Sequence, residues 1–151
     1  MRGRGFGEFE GAADRDVQLA LGHPAVHVVG TGSLLFGRGG EEMQALKEAG
    51  VAYIVVPGVS AAMAGPAMAG IPVTHRDHAA AVTIVTGHEC EELAREPLRW
   101  RAMAESGHTL VILMGLTHLG SIATRLIAAG RRAETPAAVV QEATTPRERS
   151  V

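Results

Sequence analysis

Apolar runs of four to six residues alternate along this chain with stretches in which apolar positions return every three or four residues. The runs cover residues 25–29, 51–56, 80–85, 109–114 and 137–140, and Val51-Ala-Tyr-Ile-Val-Val56 is the most continuous. Their length and β-branched content predict strands buried on both faces. Between them the spacing predicts helices over 16–22, 40–49, 61–69, 91–106 and 117–129. The helix ends carry their own signals. Glu41 and Glu42 complement the positive end of the helix over 40–49, Ser60 is placed to cap the next helix, and Gly22, Gly50 and Gly130 stand where a helix stops. Met63, Met68 and Met103 fall at helical spacing and are predicted to be core. Strands alternating with helices predict an α/β fold with a largely parallel, two-sided sheet. In such a sheet ligands gather outside the carboxyl ends of the strands, which directs attention to residues 30–40, 57–62, 86–89, 114–117 and 141–145.

Composition narrows the classes of partner. With 151 residues and 46% hydrophobic content, the chain can build one ordinary core and is too apolar to be disordered. The net charge of −2 arises from interspersed signs, so there is no basic stripe for nucleic acid, and no nucleic-acid partner is expected. Cys90 is the single cysteine, which excludes an internal disulfide and leaves no thiol set for zinc, as expected of a cytoplasmic protein. Residues 1–16 lack the apolar core of a signal peptide and are expected to be mobile. Residues 49–73 carry no charge and are long enough to cross a bilayer. Pro57, Pro66, Pro72 and several glycines interrupt them, so a strand, a turn and a small-residue helix are expected, with no membrane span.

Several motifs fail on inspection. Gly32 and Gly37 have the spacing of a phosphate loop, but Arg38 and Gly39 then occupy the positions of the required lysine and hydroxyl. Gly30-Thr-Gly32 opens like a dinucleotide fingerprint, yet the third glycine is displaced and no acid ends the following strand. His75-Arg76-Asp77 copies a kinase tripeptide without the asparagine that should follow. His75, His78 and His88 match no metal-ligand spacing and are predicted to be surface or hydrogen-bonding residues, with no metal site. Ser60 and Thr86 lack a nucleophile elbow, and capping and turn roles suffice for them.

Five segments read together are more specific: Phe36-Gly-Arg-Gly-Gly-Glu-Glu42, Val55-Val-Pro-Gly-Val-Ser-Ala-Ala62, Ala69-Gly-Ile-Pro-Val-Thr-His-Arg-Asp77, Val85-Thr-Gly-His-Glu89 and Thr135-Pro-Ala-Ala-Val-Val140. In order and spacing they resemble the tetrapyrrole methylase family, and within it the branch that methylates uroporphyrinogen III, from about Val17 onward. The resemblance implies two α/β domains with a mixed, largely parallel sheet, working as a homodimer, with S-adenosylmethionine folded into the cleft between them and no metal. It implies C-methylation of uroporphyrinogen III to precorrin-2, on the way to siroheme and cobalamin. A later precorrin as substrate, or a non-catalytic dimerising domain, are the alternatives. Residues 1–16 match nothing in the family, residues 17–56 correspond to the end of its amino-terminal, cofactor-binding domain, and residues 57–151 to most of its carboxy-terminal domain, so a chain incomplete at both ends is expected. Family cofactor contacts fall on Gly30, Thr31, Gly32, Leu35, Ser60, Ala61, Met114 and Ala143. Arg38 and Arg76 are the candidate anchors for the substrate's carboxylates, since a guanidinium binds a carboxylate bidentately. No catalytic acid or base is assigned. The family's first cofactor loop reads Gly-Gly-Asp-Pro where this chain has Gly30-Thr31-Gly32-Ser33.

Overall fold

The computed structural model describes residues 27–88 and 97–151. The helix expected over 16–22, the expected mobility of residues 1–16, Cys90 and the first turns of the helix expected from residue 91 lie outside the described residues. The chain divides into two compact units that part between Val59 and Ser60.

In the first unit, β1 (His27–Gly30) pairs in parallel with β2 (Tyr53–Val56), His27 standing opposite Tyr53 and Gly30 opposite Val56. Helix α1 (Gly39–Glu48) makes the crossover between them and packs against β1. Among the described residues Val29 and Leu46 are the buried apolar side chains of this unit. Helix α1 ends where expected. Gly50 takes φ +68°, its amide donates to the Lys47 carbonyl at 3.2 Å, and Val51 donates to the Leu46 carbonyl at 2.9 Å. That pair of bonds satisfies carbonyls the helix leaves open, and the left-handed residue it requires favours glycine.

In the second unit, α2 (Ala61–Met68) precedes β3 (Val82–Thr86), α3 (Pro97–Glu105), β4 (Thr109–Leu113) and α4 (Leu119–Ala128). Strands β3 and β4 are parallel, with Val82 opposite Thr109 and Thr86 opposite Leu113. Helices α3 and α4 pack together, and the Arg125 guanidinium lies 5.6 Å from the Trp100 ring centroid. Ala62, Ala104 and Ile122 are buried. Gly70 and Gly130 close α2 and α4 as Gly50 closes α1, with Ile71 donating to the Pro66 carbonyl and Arg131 to the Leu126 carbonyl.

The α/β class is as expected, with mixed strand directions, but three expectations need correction. Among the described residues the strands form three separate pairs rather than one sheet, and the third pair, β5 (Val140–Gln141) with β6 (Arg149–Ser150), is antiparallel. Of the run over 137–140 only Val140 falls within β5, which Gln141 completes. Strand β2 is not buried on both faces, because Ile54, Val55 and Val56 stay nearly half exposed. Met63 and Met68 are likewise exposed, at 48% and 54%. Helix α2 turns Ala62 and Gly65, three residues apart, toward its packed side. Its methionines point elsewhere. No helix among the described residues is long and apolar enough to cross a membrane.

Candidate functional site

In the first unit the strand-to-helix loop begins where β1 ends at Gly30. Thr31–Leu34 form one 3-10 turn, and the Ser33 hydroxyl donates to the Gly30 carbonyl at 2.7 Å. Leu35 is extended, and Phe36 takes φ +58°. The chain then folds back on Ser33. A Cβ at Gly37 would lie 2.5 Å from the Ser33 carbonyl oxygen, and one at Gly39 would lie 2.5 Å from the Ser33 hydroxyl. These two glycines permit the loop's own close packing. Gly32 differs, because a Cβ there would meet nothing within 4 Å. Its face of the loop is open. Arg38 occupies the N-cap position of α1 and is exposed. At the base of the loop His27 Nε2 lies 2.5 Å from Glu42 Oε1, joining β1 to the first turn of α1.

In the second unit Ser60 caps α2 as expected, its hydroxyl accepting from the Ala62 amide at 3.2 Å, and Ala61 is the first helical residue. Helix α2 packs against both β4 and β5. Met114 follows β4 directly with φ +56° and is 56% exposed. Beside it the ends of β3 and β4 approach closely. The Gly87 amide donates to the Leu113 carbonyl at 2.6 Å, and a Cβ at Gly87 would lie 2.4 Å from the Gly115 Cα. Ala143 follows β5 between two left-handed residues, Glu142 at φ +51° and Thr144 at φ +69°. Its loop is tied internally: Arg147 Nε donates to Glu142 Oε2 at 2.6 Å, and the Thr144 amide donates to Glu148 Oε2 at 2.8 Å. Arg76 sits in a tight turn closed by two backbone bonds between His75 and Ala79, at 2.8 and 3.0 Å. The His75 and His78 rings stack at 4.7 Å in that turn, and His75 Nδ1 accepts from the Asp77 amide. The Thr86 hydroxyl accepts from the His88 amide, so the turn roles expected of these residues are the ones they play.

The sequence pattern of the family described as Tetrapyrrole (Corrin/Porphyrin) Methylases matches residues 8–151. The chain belongs to that family. It is 45% identical over 148 residues to the siroheme synthase of Psychromonas ingrahamii, covering 95% of this chain and 31% of that one. It is 42% identical over 135 residues to the uroporphyrinogen-III C-methyltransferase of Synechocystis, covering 89% of this chain and 51% of the relative. Among solved structures it resembles the uroporphyrin-III C-methyltransferase of Thermus thermophilus complexed with S-adenosylhomocysteine, with a TM-score of 0.66 at 38% identity, over 78% of this chain and 48% of that one. This tetrapyrrole methylase chain thus spans about a third to a half of the relatives it matches.

Within the methylase fold, Gly30, Thr31, Gly32, Leu35 and Arg38 share the loop that follows β1. Ser60, Ala61, Met114 and Ala143 lie at the start of α2 and just beyond β4 and β5, the two strands α2 packs against. Arg76 stands in its own turn. Among the described residues the non-glycine residues with φ in the left-handed region are Phe36, Met114, Glu142 and Thr144, and each lies in a strand-end loop singled out by the sequence. An L-residue pays roughly 1–2 kcal/mol for that conformation, and such strain gathers at functional sites. The sequence pattern singles out the loop over 114–117 but not Gly115 within it, nor the His27–Glu42 pair. Gly115 had a signal, a glycine directly after an apolar run, whereas a side-chain pair fifteen residues apart leaves no local one. Among the described residues no group of three or more His, Cys, Asp or Glu side chains is placed to hold a metal.

Proposed function

We propose that this chain takes part in S-adenosylmethionine-dependent C-methylation of uroporphyrinogen III to precorrin-2. The observation that carries the reading is the open, small-residue backbone at the strand ends, with Gly32 facing free space and Met114 and the neighbours of Ala143 held left-handed. Backbone of this kind lets a nucleoside and an amino-acid tail approach without side chains in the way. When bound, S-adenosylmethionine supplies an electrophilic methyl group, and its transfer to a ring carbon asks for alignment above all. The residues the family resemblance assigns to it are Gly30, Thr31, Gly32 and Leu35 of the first unit and Ser60, Ala61, Met114 and Ala143 of the second. Arg38 and Arg76, both exposed, are suited to the carboxylates of a uroporphyrinogen. A guanidinium at the N-terminus of α1 gains nothing from the helix dipole, while an incoming carboxylate is drawn to both. Assembly as a homodimer, which the family resemblance implies, belongs to the same proposal. The reading is tested by titrating the folded chain with S-adenosylhomocysteine and assaying precorrin-2 by absorbance. Saturable binding with product formation is expected, and a folded chain that binds nothing overturns it.

A second reading is favoured by one observation. Gly32 and Ser33 stand where the family has Asp-Pro, so the loop lacks a carboxylate. A chain that dimerises and binds the nucleoside without turnover would show binding and no precorrin-2.

A further inference from the structure

Several contacts that shape residues 30–39 run within the loop itself. Ser33 bonds to Gly30, and Gly37 and Gly39 pack on Ser33. Beyond these and the packing of α1 on β1, a side-chain bond made outside the loop can also join the first turn of α1 to β1, and so set how the backbone over 30–35 is presented. His27 and Glu42 do so. His27 is held by the parallel ladder opposite Tyr53, and its amide donates to the Ala52 carbonyl at 3.0 Å. Glu42 is held by its own amide bond to the Arg38 carbonyl at 2.9 Å. Their side chains meet at 2.5 Å with 30% and 28% exposure, bracketing the loop from outside. Glu41 shares the same helical turn and the same attraction to the helix dipole but is exposed. The dipole therefore does not account for the reach of Glu42 across to β1.

We propose that His27 and Glu42 are positioning residues that latch the first turn of α1 to β1 and so set the geometry of the loop over 30–40. As far as the ligand is concerned, this rests on the function proposed above. The test uses the full 151-residue chain, with hydrogen exchange of peptides spanning 30–40 in the free protein and calorimetric titration with S-adenosylhomocysteine. Glu42→Ala and His27→Ala are each expected to speed exchange across 30–40 while β3 and β4 stay protected, and to weaken binding about 5–10-fold, with the double variant no worse than either single one. His27→Arg, which can still donate to Glu42, should restore binding to within about 2-fold, and Glu41→Ala should change it by no more than that. A merely structural loss would lower stability without rescue by arginine. If Glu42→Ala does not fold, Glu42→Gln replaces it. Unchanged exchange and affinity in Glu42→Ala, additive losses in the double variant, or an equal loss in Glu41→Ala would overturn the latch. If the parent chain is folded but does not bind, the functional reading falls and the exchange measurement alone decides the latch.

Discussion

The glycines of this chain look alike in sequence and do different things, and each difference can be measured. Gly37 and Gly39 are fixed by Ser33, whereas Gly32 faces open space with no left-handed requirement. Gly32→Leu should therefore fold normally, with a melting temperature within about 2 °C of the parent. If the proposed cofactor contact is right, it should also lose at least about tenfold in affinity for S-adenosylhomocysteine, because the new side chain fills the open space beside Gly32. Calorimetry and thermal melting on one sample check both halves, and undiminished affinity would remove Gly32 from the cofactor contacts. Gly87 makes the opposite case. Its added Cβ would sit 2.4 Å from backbone at Gly115, which cannot swing aside. Gly87→Ala should cost about 1–3 kcal/mol in denaturant unfolding, as overpacking does. Gly40→Ala, in the first turn of α1 with nothing within 4 Å, should instead gain up to about 1 kcal/mol.

The elements show which parts of the fold the sequence could reveal. Helix ends were legible because their chemistry is local: Ser60 caps, Gly50 and Gly130 stop, and the structure uses each as its residue type demands. Helix α2 sets the scale of one such device. Ser60→Ala should lower stability by about 1 kcal/mol, and Ser60→Asp should keep most of it, since a carboxylate also accepts from the Ala62 amide. Pairing partners and burial were less legible, because they depend on distant residues. The run over 137–140 reads as a strand without naming its partner, and β5 joins β6 antiparallel, with backbone bonds between Val139 and Val151 at 2.9 and 3.0 Å. Met63 and Met68 have the spacing of core residues, but the small side chains of α2 take the packed face. Nor does periodicity predict that Arg131, next to the Gly130 stop, reaches the His108 carbonyl at 3.1 Å and the Ala104 carbonyl at 3.5 Å. Arg131→Met should cost about 1–2 kcal/mol, because it leaves carbonyls at the end of α3 without a charged donor. A loss below about 0.3 kcal/mol in urea unfolding would show that water replaces it.

For the whole molecule, the loop after β1 offers two incompatible ligands, and the two can be told apart without assaying turnover. A glycine-rich strand-to-helix loop suits phosphates when a lysine and a hydroxyl follow the second glycine. Here Arg38 and Gly39 follow it, and Gly37 and Gly39 are occupied in packing on Ser33 rather than in cradling an anion. What the loop leaves open is the backbone near Gly32. A ligand that binds only the folded chain raises its stability by about 2.7 kcal/mol when present at 100 times its dissociation constant. At this chain length each kcal/mol moves the melting temperature by roughly 2–4 °C. S-adenosylhomocysteine at that excess should thus raise the midpoint by about 5–10 °C, while ATP at the same concentration, with or without magnesium, should leave it within about 1 °C. A shift with ATP alone would return the loop to the phosphate-binding class, against the packing of its glycines. A shift with S-adenosylhomocysteine alone would tie the open face of the loop to a nucleoside joined to an amino acid, the ligand in the complex that the fold resembles.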